Sequence, residues 1–226
     1  MGVTTILKVI GKPFLIPWAV KVALEYVKDN SEMEYKKTSE GEPEENGITG
    51  RMIIDEDILK KAKTENVRIM QTAGKWGTKV HKVIEDWIKC GELPKDLDKM
   101  QMVAFDNFRK WVADNDVEFI ESEKHLWSEK MWVGGICDLV IRIDGKKYIG
   151  DIKTSSGIYK EAFFQMGGYN LMLEDMGLHN DIDGYIVINL KKTGEIDLMM
   201  ATDMDLNKKA FTSALELYKI TQSILN

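Results

Sequence analysis

The residues best suited to chemistry stand in one stretch, Gly134 to Thr154, GGICDLVIRIDGKKYIGDIKT. Two runs of alternating apolar residues flank Asp144-Gly145. That dipeptide is a strong hairpin signal, because a two-residue type I′ turn needs φ > 0 at both central positions. With these two residues as the loop, Ile143 faces Lys146, and each further pair keeps the same sum. Asp138 then lies directly opposite Asp151. The two-residue period of a strand puts Asp151 and Lys153 on one face.

Opposed carboxylates repel, their Cβ atoms being only ~5 Å apart. A divalent cation between them turns the repulsion into coordination. Mg²⁺ and Mn²⁺ are hard ions that favour carboxylate oxygens and phosphate. The same residues also fit a solvated edge hairpin with a charged face.

The surrounding sequence narrows the choice. Asp138 is preceded by Gly134 and Gly135, and Asp151 opens Asp151-Ile152-Lys153-Thr154. Gln165 and Tyr169 follow at helical spacing, and upstream stands Gly77-Thr78-Lys79-Val80-His81-Lys82-Val83-Ile84-Glu85. In that order the four pieces resemble the PD-(D/E)xK nuclease superfamily, in its RecB-like branch of single-strand exonucleases. The family's elements are G-x-x-x-H-x-x-x-E, G-x-x-D, D-x-K-T and Q-x-x-x-Y. The resemblance covers about Gly74 to Asp205.

It implies an α/β fold with a restriction-endonuclease-like core. A central mixed sheet of about five strands would be flanked by helices, in αβββαβ order. It also implies a metal-dependent deoxyribonuclease acting on single-stranded DNA or free DNA ends, with replication or recombination proteins as partners. His81, Asp138, Asp151 and the Ile152 carbonyl would bind one or two Mg²⁺ or Mn²⁺ ions. Lys153 would orient water and offset charge on the phosphate. Glu123, on the preceding strand, would support the metal, with Glu121 the second choice there. Gln165, Tyr169 and Thr154 would handle substrate, and Glu85 would stand behind the ligands or pair along its helix. The alternatives are a structure-specific or double-strand endonuclease of the same fold, and a catalytically silent DNA-binding subunit. A small-molecule metalloenzyme fits the Gln-x-x-x-Tyr helix less well.

Composition sets bounds on these readings. The chain has 226 residues and reads as one nuclease domain. Within it, 1–71 form an N-terminal helical region, 72–205 the catalytic core and 206–226 a C-terminal helix. The net charge of −6 argues against tight, non-specific duplex binding. No apolar run reaches membrane length, and the first residues lack a signal-peptide layout, so a cytoplasmic location is expected. The two cysteines, Cys90 and Cys137, cannot supply four thiolates. No iron–sulfur cluster is therefore expected, a departure from those RecB-like nucleases that carry one. Cys137 alternates away from Asp138 and is assigned to the core.

Along the chain, Phe14–Val27 predict a helix whose Trp18 and Val22 cap the core. Residues 29–50 are acidic and read as a surface loop. A helix over 52–71 would end near Gly74 and Gly77, and a separate helix over 78–89 would carry His81 and Glu85. Its apolar stripe is Val80, Val83, Ile84, Trp87 and Ile88. The helix over 98–114 would turn Met102, Phe105, Phe108 and Val112 inward. Residues 117–127 predict a strand with strict alternation. A helix over 159–176 stops at Gly177, strands follow at 182–190 and 195–201, and the last helix turns Phe211, Leu215 and Tyr218 inward.

Overall fold

The computed structural model describes residues 1–37, 48–92 and 95–224. It divides into two compact units, Lys12–Gly74 and Met1–Gly11 with Lys75–Asn226.

In the unit Lys12–Gly74, helix α2 spans Leu15–Asn30, with Pro17 in its first turn, where its missing N–H costs nothing. No residue of α2 is buried, so the expectation that Trp18 and Val22 cap a core is corrected. Apolar spacing marks a helix face but not what covers it. Part of the expected acidic loop is strand instead. Strands β1 (Glu32–Lys37) and β2 (Ile48–Ile53) pair antiparallel, Glu32 opposite Ile53. The rest of that loop, 38–47, lies outside the described residues.

Helix α3 runs without interruption from Glu56 to Cys90, so the expected break at Gly74 and Gly77 is absent. A glycine costs a helix interior only about 1 kcal/mol, which the long flanking segments tolerate.

The second unit begins with a short helix α1 (Val3–Ile6), whose Val3 and Ile6 are buried. After α3 comes α4 (Lys99–Asp114), started by a full capping box between Asp98 and Gln101. Phe105 and Phe108 are buried as expected, together with Gln101, Ala104 and Trp111, whereas Met102 is exposed and Val112 half-buried. Strands β3 (Glu118–Ser128), β4 (Val133–Ile143) and β5 (Lys146–Lys153) follow. Then come α5 (Lys160–Asp175), β6 (Gly184–Leu190), β7 (Ile196–Ala201) and α6 (Met204–Ile224). Gly177, at φ 67°, ends the α5 segment as expected.

Among the described residues the main sheet has five strands in the order β3-β4-β5-β6-β7. Only β5 and β6 run parallel, joined through α5. This is an α/β fold with a mixed sheet and helices on both sides, in the expected order of helices, three strands, helix and strand. Two apolar clusters cover the sheet. One joins Val140, Ile149, Tyr185 and Val187 to α1, α5 and α6. The other joins Leu139, Ile141, Ile152, Ile186 and Ile188 to Trp76, Val80 and Ile84 of α3 and to α4. No described helix is long and apolar enough to cross a membrane.

Candidate metal centre

The hairpin turn and the pairs next to it are as the sequence requires. Asp144 and Gly145 both have positive φ, 49° and 76°. Ile143 pairs with Lys146, and the ladder continues to Leu139 opposite Gly150. The ladder stops there, so the expected direct pair Asp138–Asp151 is not part of it. There the Asp138 carboxylate accepts from the Ile152 N–H at 2.9 Å. Alternation also steps at this point. Cys137 and Val140 face one apolar cluster, Leu139 and Ile141 the other.

On the far side of Asp138 stands Glu123. It lies between the pairs Ser122–Leu139 and Lys124–Cys137. Its φ is 49°, left-handed for a residue with a side chain. Such backbone costs on the order of 1–2 kcal/mol and gathers at functional sites. A second irregularity, between Phe119 and Glu121, shifts the register of β3. The strict alternation expected for 117–127 is corrected on both counts.

His81 reaches the same place from α3. Donor atoms of His81, Glu123 and Asp138 all lie within 4.8 Å of one another. His81 Nδ1 is 3.7 Å from Asp138 Oδ2. Gly77, one turn earlier, explains how the helix comes so near. A Cβ there would sit 2.5 Å from Thr154 Oγ1. Thr154 is thus packed against the helix that carries His81.

Electrostatics at this point favour a cation. Burial raises the Glu123 carboxyl to about 7, with the charges of Asp138 and Glu85 adding to it. Burial also raises Asp138, against the pull of Lys153 and the Ile152 N–H. His81 is lowered by burial first and by Lys153 second, which leaves a neutral imidazole with a lone pair to offer.

Asp151 is buried, its side chain 1% exposed. Its carboxyl is pushed up to about 6, by burial first, with Asp138 adding and Lys153 opposing. Oδ1 accepts from Lys153 Nζ at 2.7 Å and from Gln165 Nε2 at 3.2 Å. Oδ2 lies 2.6 Å from Lys153 Nζ but has no aligned donor. An ion-pair distance alone does not satisfy a buried oxygen, so this atom still has a lone pair directed at no partner.

Gln165 Nε2 also donates to the Tyr169 hydroxyl at 2.9 Å. Tyr169 itself is 3% exposed, within the apolar cluster. A Cβ on Gly135 would stand 2.8 Å from its ring. The glycine before Asp138 therefore makes room for the tyrosine that steadies Gln165.

Two other candidates are engaged in ion pairs of their own. Glu85 is held by Lys89 at 2.6 Å and lies 3.4 Å from Lys82 along its own helix. Glu121 pairs with Lys124 at 2.8 Å and lies 3.5 Å from His179 Nε2. Sequence reasoning missed Asn189, fully buried and in register with Lys153. Its Oδ1 accepts from the Ser155 N–H at 3.0 Å, and its Nδ2 donates to the Ser155 carbonyl at 3.1 Å. It clamps the turn just after Lys153. The available signal was one amide in the apolar run Gly184-Tyr-Ile-Val-Ile-Asn-Leu190.

These donors fit a hard divalent cation. Two carboxylates and a neutral imidazole converge, and Asp151 adds a buried oxygen, Oδ2, that accepts no hydrogen bond. The described cysteines do not join the group: Cys137 is buried, with its thiol raised well above the ordinary range by burial, and Cys90 is exposed.

No protein-family profile matches the chain, and no curated protein matches it. Among solved structures, it is similar to a phage-related exonuclease from Haemophilus somnus 129PT. The identity is 12% and the TM-score 0.33, over 66% of this chain and 83% of that one. It is also similar to SSO0001, at 13% identity and a TM-score of 0.31, over 51% of this chain and 57% of that one. The chain thus spans little more than half the length of SSO0001.

Proposed function

We propose that this chain is a metal-dependent deoxyribonuclease that hydrolyses phosphodiester bonds, acting as an exonuclease on single-stranded DNA ends. One observation carries the reading. His81, Glu123 and Asp138 converge beside the paired Asp151 and Lys153, with Gln165 bonded to Asp151. A purely structural cluster has no need for three mutually repelling carboxyls, one buried and two half-buried.

His81, Glu123, Asp138, Asp151 through Oδ2, and the Ile152 carbonyl would hold Mg²⁺ or Mn²⁺. When bound, the ion supplies Lewis acidity toward a phosphoryl oxygen and lowers the pKa of water. The protein groups do the rest by position and charge. Asp138 is fixed by the Ile152 N–H, and Asp151 by Gln165. Gln165 is in turn set by Tyr169, whose burial leaves it a positioning role. Lys153 is the partly exposed cation of the group, its side chain 32% exposed. It can turn from Asp151 to the phosphate, where it orients water and stabilises the charge that grows in the transition state.

The test is digestion of end-labelled linear and circular DNA, single- and double-stranded, with Mg²⁺ or Mn²⁺. Linear single strands should shorten from an end and circles should persist. EDTA or Asp151→Asn should abolish the reaction. Metal-dependent cutting of circles would replace the exonuclease by an endonuclease, and intact DNA throughout would sink the nuclease reading.

A further inference from the structure

The cross-strand pairs of the β3–β4 hairpin sort its side chains into two faces. Partners opposite each other share a face. Leu126 with Gly135, and Ser128 with Val133, point inward, where Leu126, Ser128 and Val133 are buried and Gly135 receives the Tyr169 ring. His125 with Ile136, and Trp127 with Gly134, therefore point outward. His125 is exposed. Trp127 is 55% exposed and Ile136 41%. Gly134 places no side chain opposite Trp127. At the end of the hairpin Trp132 is 75% exposed, with φ 61°. A large side chain at positive φ is strained, yet this one is turned to solvent, where apolar burial returns nothing.

This stripe starts at the metal centre. Cys137 and Gly135 point inward, so Asp138 and Ile136 share the outward face of β4, and Glu123 meets Asp138 there. At ~3.3 Å per residue, Trp127 stands roughly 13 Å along the strand from Glu123. A chain with its phosphate at the centre would lay its next few units along the hairpin.

We propose that Trp127 and Trp132, with His125 and Ile136 between Trp127 and the centre, form a stacking platform for the unpaired bases next to the scissile phosphate. The inference rests on the nuclease reading for its direction, and it names single-stranded nucleic acid as the occupant. Indole faces accept any unpaired base, whereas paired bases keep their faces covered. The platform therefore selects single strands without selecting sequence.

The experiment uses the full chain, with Trp127→Ala, Trp132→Ala, the double variant and Trp127→Phe. Binding of a fluorescent oligothymidylate is measured in EDTA, where nothing is cut, beside a duplex of equal length. Each alanine variant should weaken single-strand binding by about five- to a hundredfold, the double variant more, and Trp127→Phe little. Duplex affinity should not change. With Mn²⁺, KM for long single strands should rise while the rate at saturation holds. Unchanged oligonucleotide affinity in the double variant overturns the platform, as does an equal loss on duplex. A change in oligomeric state without a change in oligonucleotide affinity would make the stripe a protein contact and also overturns it. The two readings fail separately. Wild-type protein that binds through these tryptophans yet cuts nothing keeps the platform and loses the nuclease. Wild-type protein that cuts, with a double variant that binds and cuts equally well, does the reverse.

Discussion

Replacing Asp151 by asparagine should make the metal-free protein more stable while disabling it. The folded-state carboxyl is pushed from 3.8 to about 6, chiefly by burial. Between those values the folded protein keeps a proton that the unfolded chain has released. Stability from this group is thus present at acid pH and is lost as pH rises through 6. At ~1.4 kcal/mol per pH unit, the deficit above pH 6 is about 3 kcal/mol. The side chain is 1% exposed, so solvent does not screen that figure. Asparagine keeps an acceptor for Gln165 and Lys153 and carries no charge, and the one-third-exposed Lys153 can return to water. Asp151→Asn in EDTA should then melt roughly 6–12 °C above wild type at pH 8, taking ~2–4 °C per kcal/mol for a chain of this length. The two should converge near pH 4. Mn²⁺ at a hundred times its Kd should stabilise wild type by about 2.7 kcal/mol and leave the variant unmoved. Urea or thermal unfolding from pH 4 to 8.5, with and without Mn²⁺, reads all of this. A variant less stable than wild type by the same amount at every pH would show that the carboxylate is a structural ion-pair partner, and the argument for a strained metal ligand would fail.

Lys153→Ala should still bind Mn²⁺, since the carboxylates lose a competing cation, but single-turnover cleavage should fall by ~10²–10³-fold without rescue by added metal; near-normal cleavage would remove Lys153 from the chemistry. Tyr169→Phe takes away the hydroxyl that Gln165 holds at 2.9 Å. It should reproduce, more weakly, the loss of cleavage in Gln165→Ala while Mn²⁺ affinity measured by calorimetry stays within a few-fold of wild type. Asn189→Ala strips partners from both the N–H and the carbonyl of Ser155. Unfolding should show a loss of about 1–3 kcal/mol, and cleavage should drop at metal saturation because the turn after Lys153 is no longer held.

What the sequence determined by itself was local. Asp144-Gly145 admits one tight turn, and that turn sets every pair from Ile143–Lys146 to Leu139–Gly150. The nearness of Asp138 to Asp151 follows, as does the shared face of Asp151 and Lys153. The α/β order was legible for the same reason, since hydrophobic period and turn residues act within a few positions of one another. The tertiary structure decided whatever depends on distant partners. Gly77 reads as a helix breaker until Thr154 is seen pressed against it. Tyr169 reads as a substrate contact until Gly135 is seen to admit its ring to the core. Asn189 is silent in sequence because its partner, Ser155, lies 34 residues away. The left-handed backbone at Glu123 breaks the alternation of its strand and cannot be inferred from residue types, because the sheet around it, not the glutamate's own preference, imposes that conformation.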